Sequence, residues 1–241
     1  MDVLGDLLAR DRQLDGTVLQ AVSSGRSYEY HRFATTAMKA GNFFRQYGVG
    51  IDVPIGIADE RVPEPLLGLF GGLLLGATVR FDPPTAFDGR IVLTRADRGK
   101  DFSLPADGTV IVYSEEPADP AMGYFERGIW SENPTFPPTV VESETLALRT
   151  PERTYTHGTL LTAATQLIEA NAITAEDTVT LRGSLTSPAV LVAGVFAPLV
   201  VGGTIRLVSG DDETSDGPEL IVDDTTQLTE RAAEAIATHS P

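Results

Sequence analysis

The chain has 241 residues, with 34 acidic against 18 basic side chains, a net charge of −16 and no cysteine. That length can bury a sizeable core, and a 42% apolar fraction sets the chain apart from disordered polyacids. The charge excludes a nucleic-acid surface, which needs a basic stripe to neutralise phosphates, and the lack of cysteine excludes disulfides and thiolate metal sites. Lys39 and Lys100 are the only lysines. An acidic, lysine-poor surface suits a cytoplasm at molar salt, where the Debye length is about 3 Å and like charges barely repel. A halophilic origin and a cytoplasmic location are therefore expected.

The N-terminus, MDVLGDLLARD, carries acids where a signal peptide needs cations followed by an apolar run. Next, Phe33, Ala37, Gly41 and Phe44 fall on one stripe of an amphipathic helix. A strand follows at Pro54–Ala58, then a helix apolar on every side that ends at Gly76 and turns into a strand at Thr78–Phe81. Further strands are read at Arg90–Thr94 and Thr109–Tyr113. Residues 114–139 contain five prolines and little periodicity, which predicts a linker or long surface connection. Its aromatics Tyr124, Phe125, Trp130 and Phe136 are expected to lie against the body.

The pattern then recurs. Leu160, Leu161, Ala164, Leu167 and Ile168 mark a second amphipathic helix. A strand at Thr178–Leu181, an all-apolar helix broken by Pro198 and Gly202, and a strand at Thr204–Val208 come after it. A strand at Glu219–Val222 and a helix over Gln227–Ala237 close the chain. Neither Leu66–Val79 nor Ala189–Ile205 supplies the roughly 20 unbroken apolar residues of a membrane span, so no membrane is expected.

Residues 26–81 and 153–208 are an internal repeat. Arg26-Ser27-Tyr28 matches Arg153-Thr154-Tyr155 and, after a one-residue slip, Phe70, Leu73, Gly76, Thr78 and Arg80 match Phe196, Leu199, Gly202, Thr204 and Arg206. His31 and His157 fall at near-equivalent helix starts, which favours a structural role. Alternating strands and helices imply mainly parallel sheets, divided as a first α/β subdomain (1–113), a proline-rich connection (114–139) and a second α/β subdomain (140–241).

Four stretches carry a resemblance: FFRQYGVG (43–50), PEPLLGLFGGLLLGATV (63–79), YTHGTLL (155–161) and AGVFAPLVVGGTI (193–205). Together they resemble the adenylate-forming superfamily, the AMP-dependent acyl-CoA synthetases and their relatives. The resemblance implies two pseudo-repeated α/β subdomains, like the front half of the large domain of those enzymes.

The chemistry departs from the family. Its phosphate loop, rich in Ser, Thr and Gly and closed by a lysine, wraps phosphates with backbone N–H groups in conformations that favour glycine. Residues 145–157 hold no glycine and no lysine, and Pro151 removes one donor. The family's adenine and magnesium motif, ribose aspartate and catalytic lysine are not located after Ser209. Asp211-Asp212-Glu213 reads as a solvated turn. Asp59-Glu60, just after a parallel strand, stands at the end where α/β sheets bind ligands.

Arg149, Arg153, Thr156, His157 and Thr186 are the candidate nucleotide- or acyl-binding residues; no catalytic residue and no metal ligand is assigned. No cofactor is certain, and ATP, AMP or CoA are the ones the resemblance implies. The expected function is a degenerate, non-catalytic acyl-CoA synthetase-like module for binding or partner docking. The alternatives are an AMP-forming acyl-CoA (acetyl-CoA-type) ligase or a subunit of one, and a structural subunit without a small ligand. The family buries these subdomains against further structure, so a homodimer or a partner synthetase chain is expected.

Overall fold

A computed structural model describes residues 1–9, 12, 14–135, 139–209 and 220–239. After a 3₁₀ segment at Leu4–Leu8 come β1 (Thr17–Ala21), β2 (Arg26–Glu29), α1 (Tyr30–Gln46), β3 (Pro54–Ile57), α2 (Pro63–Leu74) and β4 (Thr78–Phe81). The middle of the chain holds β5 (Ile91–Arg95), β6 (Thr109–Tyr113), β7 (Gly123–Tyr124) and α3 (Phe125–Ser131). Then follow β8 (Leu146–Arg149), β9 (Thr154–Thr156), α4 (His157–Asn171) and β10 (Thr178–Leu181). A continuous helical run comprises α5 (Pro188–Leu191), a π segment (Val192–Phe196) and α6 (Ala197–Val201), ahead of β11 (Thr204–Leu207), β12 (Leu220–Val222) and α7 (Gln227–His239). Phe136, Asp211, Asp212, Glu213 and Glu219 lie outside the described residues.

The chain divides into two compact units: Met1–Ala34 with Glu60–Pro63 and Tyr155–Pro241, and Thr35–Asp59 with Glu64–Thr154. Both are discontinuous in sequence. The first contains the five-stranded sheet β12-β10-β11-β1-β2, and the second contains most of the seven-stranded sheet β7-β6-β5-β3-β4-β8-β9. Pairing is parallel throughout, apart from the antiparallel β1–β2 hairpin, in every pair whose register is defined.

The repeat is visible in the register. In one sheet β3 lies between β5 and β4, with Ile55 opposite Ile91 and Val79. In the other, β10 lies between β12 and β11, with Val179 opposite Leu220 and Ile205. Beyond β4 come β8 and β9, and beyond β11 come β1 and β2. The opening strand of each copy, together with the strand just ahead of it, therefore joins the sheet of the other copy. This exchange makes the units discontinuous.

The one-residue slip between the copies has a structural cause. From Pro63 to the left-handed Gly76 (φ 73°) the first copy is one residue shorter than the second, from Pro188 to the left-handed Gly202 (φ 82°). The extra residue is absorbed as the π segment, where the Ala197 N–H donates to Val192 O, five residues back. An inserted residue is the usual origin of such a bulge. It falls just before Pro198, whose missing N–H and ring would otherwise conflict with the carbonyl four residues earlier.

In the first unit, Leu19, Val179, Leu181, Ile205 and Leu207 are buried on one face of the sheet, where Gly194 of the helical run approaches Leu181. Leu160, Ala164 and Leu167 of α4 and Ala232 and Ile236 of α7 are buried where those helices pack on that run and on each other. In the second, Ile55, Ile57, Val79, Leu93 and Ile111 form the sheet core, and the Phe44 and Phe125 rings lie 6.1 Å apart. The proline-rich stretch is not a bare connection. It adds β7 to the sheet edge and forms α3, with Phe125 fully buried but Trp130 83% exposed. Among the described residues no helix is long and apolar enough to cross a membrane.

Candidate functional site

Arg149 ends β8, and Thr150-Pro151-Glu152-Arg153 is the turn into β9. This turn is closed on itself. Thr150 N donates to Arg153 O at 2.8 Å, while Thr150 Oγ1 accepts from Arg153 N at 3.1 Å and Glu152 N at 3.3 Å. Pro151 has no N–H to give. Every backbone donor of the four turn residues is thus internally bonded or absent, and none of these residues adopts a positive φ. A phosphate cradle requires the opposite, consecutive N–H groups pointing outward. The Arg149 and Arg153 side chains are exposed, so any anion they met would be held by solvated guanidinium groups.

Thr156 and His157 open α4 in the other unit. Thr156 is the N-cap: its Oγ1 accepts from Thr159 N at 3.1 Å and donates to Thr159 Oγ1 at the same distance. His157 is fully buried. Its Nδ1 accepts from Leu4 N at 3.2 Å, and its Nε2 is buried without a hydrogen-bond partner. Burial pushes its pKa down to about 4, against a smaller opposing pull from the Asp6 carboxylate. The counterpart of His157 in the first copy is Tyr30, the first residue of α1, whereas His31 is exposed. The two histidines are therefore not equivalent, because β2 and β9 align on Tyr28 and Tyr155.

Thr186 is exposed on the loop between β10 and α5, at the carboxyl end of the parallel strands. Its Oγ1 lies 2.6 Å from Ser184 Oγ, and Ser187 caps α5 by accepting from Val190 N. Ser184 N donates to both oxygens of Asp224 at 3.3 Å. Asp223 accepts from Thr225 N at 2.7 Å and Thr225 Oγ1 at 2.9 Å, and these bonds draw its carboxyl below the usual range, with a lesser contribution from the Arg182 charge. Neither aspartate was singled out in the sequence, although Asp223-Asp224-Thr225-Thr226 ahead of a helix is a side-chain-to-backbone turn signal. Asp59 and Glu60 follow β3 at the expected strand end and are half-buried.

A groove of about 370 Å³ in the second unit is lined by Asn42, Arg45, Gln46, Glu132 and Thr135. Its polar groups are engaged: Asn42 Nδ2 donates to Asn133 O and Thr135 O, Arg45 to Thr139 Oγ1, and Gln46 to Glu132 Oε1. These bonds hold Glu132, Asn133, Thr135 and Thr139 against α1. Among the described residues no group of three or more His, Asp or Glu side chains could hold a metal ion.

No protein-family profile and no curated protein matches the sequence. Solved structures do match the fold. The anthranilate CoA ligase AuaEII, in complex with anthranoyl-AMP, superposes with a TM-score of 0.72 at 16% identity, over 86% of this chain and 45% of that one. ATP-bound MatB from Rhodopseudomonas palustris gives 0.70 at 14% identity, again over 86% and 45%. The N-terminal domain of FACL13 from Mycobacterium tuberculosis gives 0.73 at 14% identity, over 88% and 58%. The chain therefore has the α/β fold of adenylate-forming acyl-CoA and aryl ligases, as the resemblance implied. It spans about half the length of the AuaEII and MatB chains.

Proposed function

We propose that this chain is an acyl-CoA synthetase-like module that does not turn over substrate and serves in binding or partner docking. One observation carries the reading: the self-closed Thr150–Arg153 turn stands where the resemblance places a phosphate loop and offers no free backbone donor. Attack of a carboxylate on an α-phosphate depends on phosphate clamps and positioning acting together. A docking surface needs neither. The partner is a second copy or a synthetase chain, and the module works in the cytoplasm of a salt-adapted cell. The reading draws support from the −16 net charge and two lysines.

A second reading, an acyl-CoA ligase or a subunit of one, draws on the ligands of the superposed structures, ATP in MatB and anthranoyl-AMP in AuaEII. In that case Arg149 and Arg153 contact phosphate through their side chains, and Thr186 lies near the acyl group. ATP–pyrophosphate exchange with acetate and longer acids in molar potassium chloride, alongside calorimetry with ATP, AMP and CoA, separates the two. The docking reading expects neither exchange nor nucleotide heat. Exchange that disappears in the Arg149→Ala/Arg153→Ala double variant would establish the ligase instead.

A further inference from the structure

The first turn of α4 and the N-terminal segment are joined by one bond that depends on protonation. Leu4, Leu7 and Leu8 of the 3₁₀ segment are fully buried, and Leu4 N–H donates to His157 Nδ1 at 3.2 Å. An imidazole nitrogen accepts only while it carries no proton. The Leu4 bond therefore fixes the neutral tautomer, with hydrogen on Nε2. That Nε2 is itself buried and unpartnered, so the ring has no second bond to stabilise a positive charge. Position compounds the effect: His157 is the first residue of a 15-residue helix, where the helix dipole disfavours a cation.

From this geometry we infer that the segment Val3–Leu8 is an acid-released latch, closed over the start of α4 while His157 is neutral and let go when the ring takes a second proton. Protonation would place an N–H at Nδ1 directly against the Leu4 N–H, inside a site closed to water. Either the ring leaves its site or the segment leaves the ring. The ring is fixed to a 15-residue helix, whereas the segment is held by its three buried leucines and by the Arg12 Nη1 bond to Leu7 O, the bonds from Asp2 N and Val3 N to Asp6 being internal to it.

The ionisable groups on the elements packed here are Asp2, Asp6 and Arg12 on the N-terminal side, Glu169 on α4, and Glu230, Arg231, Glu234 and His239 on α7. That helix packs along α4 with its His239 end at the start of α4 and its Arg231 bonded to Asn171 at the far end. Asp6 opposes release by favouring the imidazolium. The helical run from Pro188 to Val201 carries no ionisable residue. The folded pKa of about 4 lies below the ordinary 6.5, so the closed state is at full strength above pH 6.5 and is lost as pH falls towards 4. Linkage between those values raises the opening constant on the order of 20-fold from pH 7 to pH 5.

Amide hydrogen exchange of the full chain at pH 7, 6 and 5, corrected for intrinsic rates, reads this directly. Protection at Leu4–Leu8 is expected to fall about 20-fold while β10 and β11 keep theirs. His157→Asn retains an acceptor near Nδ1 but cannot be charged, and its protection should change less than twofold. Asp6→Asn and His239→Gln should keep the dependence on pH. Protection that is flat in the wild type, or that falls equally in His157→Asn, overturns the latch. Should His157→Asn not fold, nuclear magnetic resonance of the wild type decides the matter. The Leu4 amide and the His157 ring must titrate together, well below pH 6.5; a ring titrating at its ordinary value with an unmoved Leu4 amide refutes the proposal.

Discussion

Replacing Gly71 by alanine tests whether backbone contact between α1 and α2 sets the packing of the second unit. A Cβ at Gly71 would lie 2.8 Å from Gly41 N, 3.0 Å from Ala40 Cβ and 3.1 Å from Ala40 C. Two of these atoms are backbone inside a helix and cannot rotate away. Ordinary contact begins at 3.4 Å, so the helices must part by several tenths of an ångström and lose contacts along their length. Overpacking costs about 1–3 kcal/mol, and the upper part of that range, about 2–3 kcal/mol, applies where backbone must move; the better helix propensity of alanine returns about 1 kcal/mol. The expected net loss is about 1–2 kcal/mol, or about 3–6 °C in Tm for a chain of this size.

Gly72 is the control. Its Cβ would come closer still, 2.5 Å, but to Ile55 Cδ1, the tip of a side chain. A rotamer adjustment there costs about 0.5–1.5 kcal/mol, which the propensity gain offsets, so Gly72→Ala should be near neutral. Urea unfolding at fixed molar salt measures both. A Gly71→Ala variant as stable as the parent, or a Gly72→Ala variant that loses more, would show that backbone contact is not what limits this interface.

Three further outcomes are expected. Tm should rise between about 0.1 and 3 M potassium chloride as screening suppresses repulsion among the 16 excess negative charges; a flat profile contradicts a salt-adapted surface. Arg12 donates to Leu7 O, Leu199 O and Val200 O, so Arg12→Ala should cost about 1.5–3 kcal/mol. Arg12→Lys should restore only part of that, because an ammonium cannot span the same carbonyls, and full restoration would count against the bridging role. Thr156→Ala should cost about 1 kcal/mol by removing the cap of α4, with Thr156→Ser close to the parent. An unchanged alanine variant would place the start of α4 under other control.

The elements with local signals were legible. Thr78–Phe81, Thr109–Tyr113 and Thr178–Leu181 form strands at the positions read from sequence, because apolar runs bounded by glycine or turn residues leave little choice. The opening strands β1 and β8 were not foreseen. The pairing partner of each is remote: Leu19 faces Ile205, and Leu148 faces Val79. The π segment was present in the sequence only as the slip between the copies. At the candidate site, the lack of glycine and the presence of Pro151 pointed away from a phosphate cradle. The way Thr150 gathers the remaining donors was not visible, since a threonine hydroxyl reveals its partners only once the turn is folded. The burial of His157 was hidden by aligning it with His31 rather than Tyr30.

The exchanged opening strands impose an order on synthesis. β8 finds β4 across a separation of 69 residues, from Val79 to Leu148. β1 must wait for Ile205, 186 residues beyond Leu19. At about 5–20 residues per second, that wait is roughly 10–40 s. Throughout it the β1–β2 hairpin has an unpaired edge while its sheet is still unmade, and an open edge invites pairing with a neighbouring chain. The second unit can close early on the ribosome; the first is among the last parts of the chain to be finished. Slowing translation after β8 gives the second unit more time to set without shortening the exposure of the hairpin, so the N-terminal strands are where a cell's chaperones would be needed longest.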